Sequence, residues 1–102
     1  MNEVLQAVCA AQESGARAAL VTVVKTCGST PRKAGAKMLV AGDGRTTGTI
    51  GGGCAEAEVR LRALQVLDDD RPTLFQVNML NDVAAREGMV CGGVMEVFIQ
   101  VI

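Results

Sequence analysis

The residues best equipped for chemistry lie in the run Gly48, Thr49, Ile50, Gly51, Gly52, Gly53, Cys54, Ala55, Glu56, where a short β-like stretch ends in three glycines and opens onto an amphipathic segment. Glycines let backbone N–H groups approach a ligand with no side chain in the way. The first turn of a following helix adds unpaired donors and the positive end of its dipole. That is the chemistry of anion binding. A thiol, Cys54, and a carboxylate, Glu56, stand at the same helix entrance, and the helix N-terminus favours the thiolate form of a cysteine there. Two other segments carry comparable groups. Residues 26–33 include Gly28, Ser29, Thr30, Pro31, Arg32 and Lys33, and residues 88–93 end in Cys91, Gly92 and Gly93. If the three connections meet at one end of a sheet, where ligands bind in α/β folds, the pocket gathers Ser29, Thr30, Arg32, Gly51, Gly52, Gly53, Cys54, Glu56, Cys91 and Gly92. That set suits a phosphorylated, sulfur-rich or metal-bearing small molecule better than a simple nucleotide.

What the chain lacks narrows the chemistry further. It contains no histidine, which removes the commonest general base and the commonest metal ligand. Triad hydrolysis and histidine-based zinc sites are therefore excluded. The four cysteines, Cys9, Cys27, Cys54 and Cys91, form no Cys-x-x-Cys pair, so neither a zinc ribbon nor a thioredoxin-like motif is signalled. They read as free thiols of a reducing cytosol, with Cys9 and Cys27 structural and no metal site of the chain's own. Ten basic residues against eleven acidic ones leave a net charge of −1, so there is no electrostatic footprint for nucleic acid or an anionic membrane. No secretory signal opens the chain and no apolar stretch approaches membrane-spanning length. The expected compartment is the cytoplasm.

The elements that must position these groups follow from periodicity. At 102 residues and 49% hydrophobic content the chain makes one domain, residues 1–102, with one core. That core is aliphatic, since Phe75 and Phe98 are the sole aromatics. Residues 2–12 place Val4, Leu5, Val8 and Ala11 at helical spacing, with Ser14 and Gly15 as a stop. Residues 18–24 form a β-branched apolar run that predicts a central strand buried on both faces. Residues 36–41 and 45–49 predict a hairpin around Gly42, Asp43 and Gly44. A largely covered helix runs over 54–67, with Ala55, Val59, Ala63, Val66 and Leu67 on one arc, extended by Ala57, Leu61 and Leu64. Glu58 and Arg62 form an (i, i+4) pair, while Glu56 and Arg60 interrupt the apolar arc and imply a cleft or a partner surface. Strands follow around Phe75, Val77 and Met79 and over 94–102. The fold class expected is α+β: a single compact domain with a mixed β-sheet of about five strands covered by two main helices.

Each site residue has a plainer reading. The glycines could make only a tight turn, Cys54 could be a small buried hydrophobe, and Glu56 could merely complement the helix dipole at roughly 0.3–1 kcal/mol. Three function classes are thus open on the residues alone. One is a ligand-binding carrier. Another is a thiol enzyme using Cys54, which lacks a histidine base. The last is a structural docking or dimerisation module without a ligand.

Four ordered blocks favour the first class. Gly28-Ser29-Thr30-Pro31-Arg32, Gly35-Ala36-Lys37-Met38-Leu39-Val40, the run from Gly48 to Glu56, and Cys91-Gly92-Gly93-Val94-Met95-Glu96-Val97-Phe98-Ile99 together resemble the XdhC/CoxI family of xanthine dehydrogenase accessory proteins. The resemblance implies a non-catalytic chaperone that binds molybdenum cofactor (molybdopterin) as cargo and helps insert it into a xanthine or carbon monoxide dehydrogenase-type apoenzyme. It also admits a cofactor-sulfurating enzyme and a homo-oligomeric partner. The cofactor's phosphate would meet the glycine loop and Arg32, its pterin edge Glu56, and its dithiolene centre the soft thiols. Family members commonly carry a further C-terminal Rossmann-like domain, so the resemblance implies either a single-domain member or the N-terminal domain of a longer one.

Overall fold

Among the described residues seven elements follow one another as α1 (Glu3–Ser14), β1 (Ala18–Cys27), β2 (Lys37–Ala41), β3 (Thr46–Gly48), α2 (Gly53–Asp69), β4 (Thr73–Asn78) and β5 (Val94–Val101). The structure, a computed structural model, describes residues 3–27, 34–51, 53–78 and 94–102, with the side chains of Cys27, Cys54 and Asn78 outside the description. The five strands form one sheet in the order β3-β2-β1-β5-β4, and every pairing is antiparallel. The α+β class, the strand number and the two helices are as expected, but the sheet is antiparallel where a mixed one was expected. A helix between two strands suggests parallel neighbours. Here α2 carries the chain from one edge of the sheet to the other, so β3 and β4 run in the same direction with three strands between them.

Strand β1 takes the centre because its residues can be buried on both sides. Ala19, Val21 and Val23 are fully buried on one face, and Ala18 is buried on the other. The strand continues past the expected loop start at Thr26, because Thr26 and Cys27 pair with Met95 and Val94 of β5. Between Val23 and Lys25 the register shifts by one residue, a β-bulge that leaves Val24 47% exposed.

The face bearing Val21 and Val23 packs on α2 through Val59, Ala63, Val66 and Leu67, joined by Val77, Met95, Val97 and Ile99. On the other face α1 covers Ala18 and Leu39 with Val4, Ala7, Val8 and Ala11. Its outward side carries Leu5 and the exposed free thiol of Cys9, so burial does not account for that cysteine. Helix α2 is also less covered than its apolar arc suggests: Ala57 is exposed and Leu61 is 60% exposed, since the sheet reaches only the arc from Val59 to Leu67. The helix ends at Asp70 in the left-handed region (φ 56°). Arg17 then donates to the Leu67 carbonyl at 3.1 Å and pairs with Asp70 at 3.0 Å, putting a cation at the negative end of the helix dipole. No helix among the described residues is long and apolar enough to cross a membrane.

One close approach joins these layers. Gly48 ends β3 at φ 82°, and a Cβ there would lie 2.5 Å from Val4 Cγ2 and 2.7 Å from the Lys37 carbonyl oxygen. Glycine is needed both for the backbone angle and for the contact between α1 and the β2–β3 edge. Gly48→Ala is therefore expected to lower the unfolding free energy by about 1–3 kcal/mol, measured by denaturant titration, with Gly42→Ala as a far milder comparison because its nearest neighbour is 3.8 Å away.

Candidate functional site

An antiparallel sheet reverses direction at each step, so the ends of β1, β3 and β4 and the starts of β2 and β5 fall at one rim. The register gives this directly: Met38 opposes Gly48, and Val94 opposes both Cys27 and Asn78. The strand ends that bracket residues 28–33 and 79–93 thus share a rim with the entrance to α2. Ser29, Thr30, Arg32, Gly52, Cys91 and Gly92 themselves lie outside the described residues, as do Met79 and the polar segment around Arg86. Gly51, Gly53, Cys54 and Glu56 are placed at the α2 entrance, Gly53 and Cys54 as its first two residues.

The glycine turn is held by its neighbours. Thr49 Oγ1 donates to Glu56 Oε1 at 2.5 Å, the Ile50 N–H donates to the same oxygen at 3.2 Å, and the Gly51 N–H donates to Thr49 Oγ1 at 3.0 Å. The carboxylate therefore serves the turn itself, fixing residues 49–51 against the first turn of the helix. Gly51 follows at φ 130°, a conformation closed to residues with a Cβ. Sequence spacing assigns Thr49 no role. The usual signature pairs a hydroxyl with an acidic residue three positions on, whereas Thr49 and Glu56 are seven apart, so no motif marks the pair.

The polar groups that interrupt α2 have similar internal duties. Arg60 Nη1 donates to the Gly44 carbonyl at 3.2 Å, tying the helix to the β2–β3 turn. Arg62 lies 5.2 Å over the Phe75 ring and donates to Gln65 at 3.2 Å. It makes no ion pair with Glu58, because the ring and the amide already hold the guanidinium. A cavity of about 370 Å³ lined by Arg17, Gly42, Leu64, Leu67 and Asp68 sits at the far end of the sheet from the rim and contains none of the candidate residues. No group of acidic, cysteine or histidine side chains able to hold a metal ion occurs among the described residues. For the turn, Thr49→Val is expected to cost about 1–2 kcal/mol and to speed amide exchange at Ile50 and Gly51, while Thr49→Ser keeps the hydroxyl and stays near wild type. Exchange measured by NMR on the three proteins reads this out.

The chain is 43% identical over 90 residues to the uncharacterized protein YqeB of Escherichia coli, a match that spans 88% of this chain and 16% of that protein. It is 37% identical over 87 residues to a probable xanthine dehydrogenase subunit from Bacillus subtilis, spanning 83% of this chain and 26% of the relative. It is 43% identical over 58 residues to the molybdenum cofactor insertion chaperone PaoD of Escherichia coli, spanning 57% and 18% respectively. The chain thus spans between about a sixth and a quarter of the length of these relatives. A crystal structure of a xanthine dehydrogenase from Bacillus halodurans superposes with a TM-score of 0.74 at 22% identity, over 99% of this chain and 30% of that one. That likeness establishes the shared fold. The XdhC and CoxI family model matches residues 11–78, through the glycine turn and α2 but short of Cys91. The chain belongs to the XdhC and CoxI family.

Proposed function

We propose that this chain is a molybdenum cofactor carrier, a non-catalytic chaperone domain that holds the cofactor as cargo and assists its insertion into a molybdenum hydroxylase apoenzyme in the cytoplasm. Family membership supports the reading, as does the relative named for that insertion. Within the structure one observation carries it. A turn that only glycine can make is locked by Thr49 and Glu56 at a helix entrance, on the rim where the other two chemistry-bearing segments begin and end.

Charge refines how the cargo fits. The Glu56 carboxylate at the turn disfavours a phosphate beside it, since like charges a few ångströms apart repel even when partly screened. In this reading the phosphate goes to Ser29, Thr30, Arg32 and Gly92. The amides of Gly52 and Gly53 and the thiols of Cys54 and Cys91 take the sulfur-bearing end, where soft donors match a soft centre. Glu56 acts through the turn, holding the α2 entrance in one position rather than binding the pterin. Delivery then needs an apoenzyme partner, and the reading accommodates a sulfurating enzyme and self-association as further partners.

A docking or dimerisation module without cargo is the second reading, and it draws on Leu61 and Leu74, 60% and 59% exposed. Binding separates the two. Molybdenum cofactor released anaerobically from a donor enzyme is expected to bind the wild-type chain saturably, and Cys54→Ala or Gly52→Val to weaken it by at least about tenfold, or ~1.4 kcal/mol. Circular dichroism checks that the variants fold. No binding by the wild type would favour the docking module, and turnover of a substrate would favour a thiol enzyme.

A further inference from the structure

The part of the sheet face that α1 leaves uncovered carries a cleft of about 260 Å³ lined by Lys25, Gln76, Val94 and Glu96. Its polar groups form one row across three strands, with Lys25 of β1 opposite Glu96 of β5, and Glu96 opposite Gln76 of β4. Directly paired residues of antiparallel strands point to the same side, here the side away from α2, since the flanking Met95 and Val97 are fully buried in the α2 core. The row owes Lys25 to the bulge. Were Val24 paired regularly, strict alternation would direct Lys25 to the same face as the buried Val23. The bulge thus brings an ammonium beside a carboxylate and an amide on an open face.

These groups do not satisfy one another. Lys25 and Glu96 are cross-strand neighbours of opposite charge, yet among the described residues no ion pair or hydrogen bond joins them, and Gln76 bonds to neither. Carboxylate, ammonium and carboxamide stand separately around one cleft, whose upper lining residue, Val94, opens β5 at the rim. The next row along the same face, Thr22, Phe98 and Leu74, adds an apolar shoulder with Leu74 59% exposed.

We propose that this cleft is a subsite for the pyrimidinone edge of a pterin, the heterocyclic part of the cargo assigned above; the proposal rests on that assignment. The edge presents an exocyclic amine and an adjacent ring N–H as parallel donors, which match the two oxygens of Glu96. The neighbouring ring carbonyl accepts from Lys25, and the Gln76 amide, both donor and acceptor, suits the remaining ring nitrogens. The volume, about 260 Å³, falls just below the usual range for small-molecule sites, which suits a fused bicycle with the rest of the ligand passing over the rim.

Equilibrium binding of unsubstituted pterin to the whole chain, followed by its fluorescence, tests the subsite. The wild type should bind saturably. Glu96→Gln turns one accepting oxygen into a donor that faces donors, and should weaken binding about tenfold, with Lys25→Met weaker by a few-fold. Glu58→Gln, on the exposed face of α2, should change nothing, and unfolding curves confirm that all three variants fold. No binding by the wild type, or equal binding by Glu96→Gln, overturns the proposal. Cofactor binding by the same proteins separates it from the carrier reading. Cofactor held equally by wild type and Glu96→Gln removes the subsite and keeps the carrier. Pterin binding lost in Glu96→Gln, with no cofactor bound by the wild type, keeps a pterin cleft and removes the carrier.

Discussion

The fold depends on β1 having both backbone edges taken by antiparallel partners. Its buried stretch offers no water to pair with, so each N–H and C=O must find a protein partner or cost free energy comparable to a lost hydrogen bond. β2 supplies one edge over Ala18 to Thr22 and β5 the other from Ala19 to Cys27. Beyond Thr22, the backbone that leads into β2 continues the edge: the Gly35 N–H donates to the Val23 carbonyl at 2.7 Å and the Val23 N–H to the Ala36 carbonyl at 2.8 Å. Once these pairings are antiparallel, the places where the chain can leave the sheet are fixed. Three connections must begin or end at one rim, and these are the three that carry glycine, thiol and cation in the sequence.

Helix α2 is positioned along its whole length by contacts from outside itself. Thr49 and Ile50 meet Glu56 at its start, the Gly44 carbonyl meets Arg60 near its middle, and Arg17 meets the Leu67 carbonyl at its end. Each contact joins the helix to a different strand connection, so the helix sets the spacing of those connections as much as they set its place. Helical propensity alone supplies little of this, since most helix stability in proteins comes from packing of one face. α1 works differently. It reaches the sheet largely through apolar contacts, and Val4 is seated against Gly48.

Period and turn chemistry make most of the architecture readable. The central strand, the Gly42-Asp43-Gly44 hairpin, both helices and the last two strands can be placed because their apolar residues repeat at two or at 3.6 positions. Strand direction is harder to read, because the same strand-helix-strand pattern serves a parallel neighbour and a crossing to the far edge. The bulge at Val24 is also hidden. Nothing about Val23, Val24 and Lys25 marks an extra residue until β5 is laid beside them. The candidate site is legible as a set of residue types but not as a set of roles. Glu56 and Arg60 look like ligand or partner groups because they break an apolar arc, and the carbonyl and hydroxyl they serve are distant in sequence. Lys25, Gln76 and Glu96 carry no signal of their own, since each is an ordinary polar residue of a strand and only the register lines them up.

The aliphatic core shapes what kind of binding this domain can offer. Without tryptophan or tyrosine in the chain, and with one sheet and two helices among the described residues, that part of the fold offers neither aromatic walls nor much depth for a large ligand. In the proposed reading, recognition falls on the rim and the open face, from backbone amides, short side chains and isolated charges. Gly48 serves close packing, and Gly51 supplies the backbone angle that sets the turn at the α2 entrance, so both contribute a rigid frame. A rigid frame with shallow contacts lets a bound molecule leave readily, because affinity differences lie mostly in dissociation rates and full enclosure slows dissociation. For an enzyme pocket that would be a weakness. For the proposed carrier, whose cargo would pass to another protein, a site that orients without enclosing suits the handover.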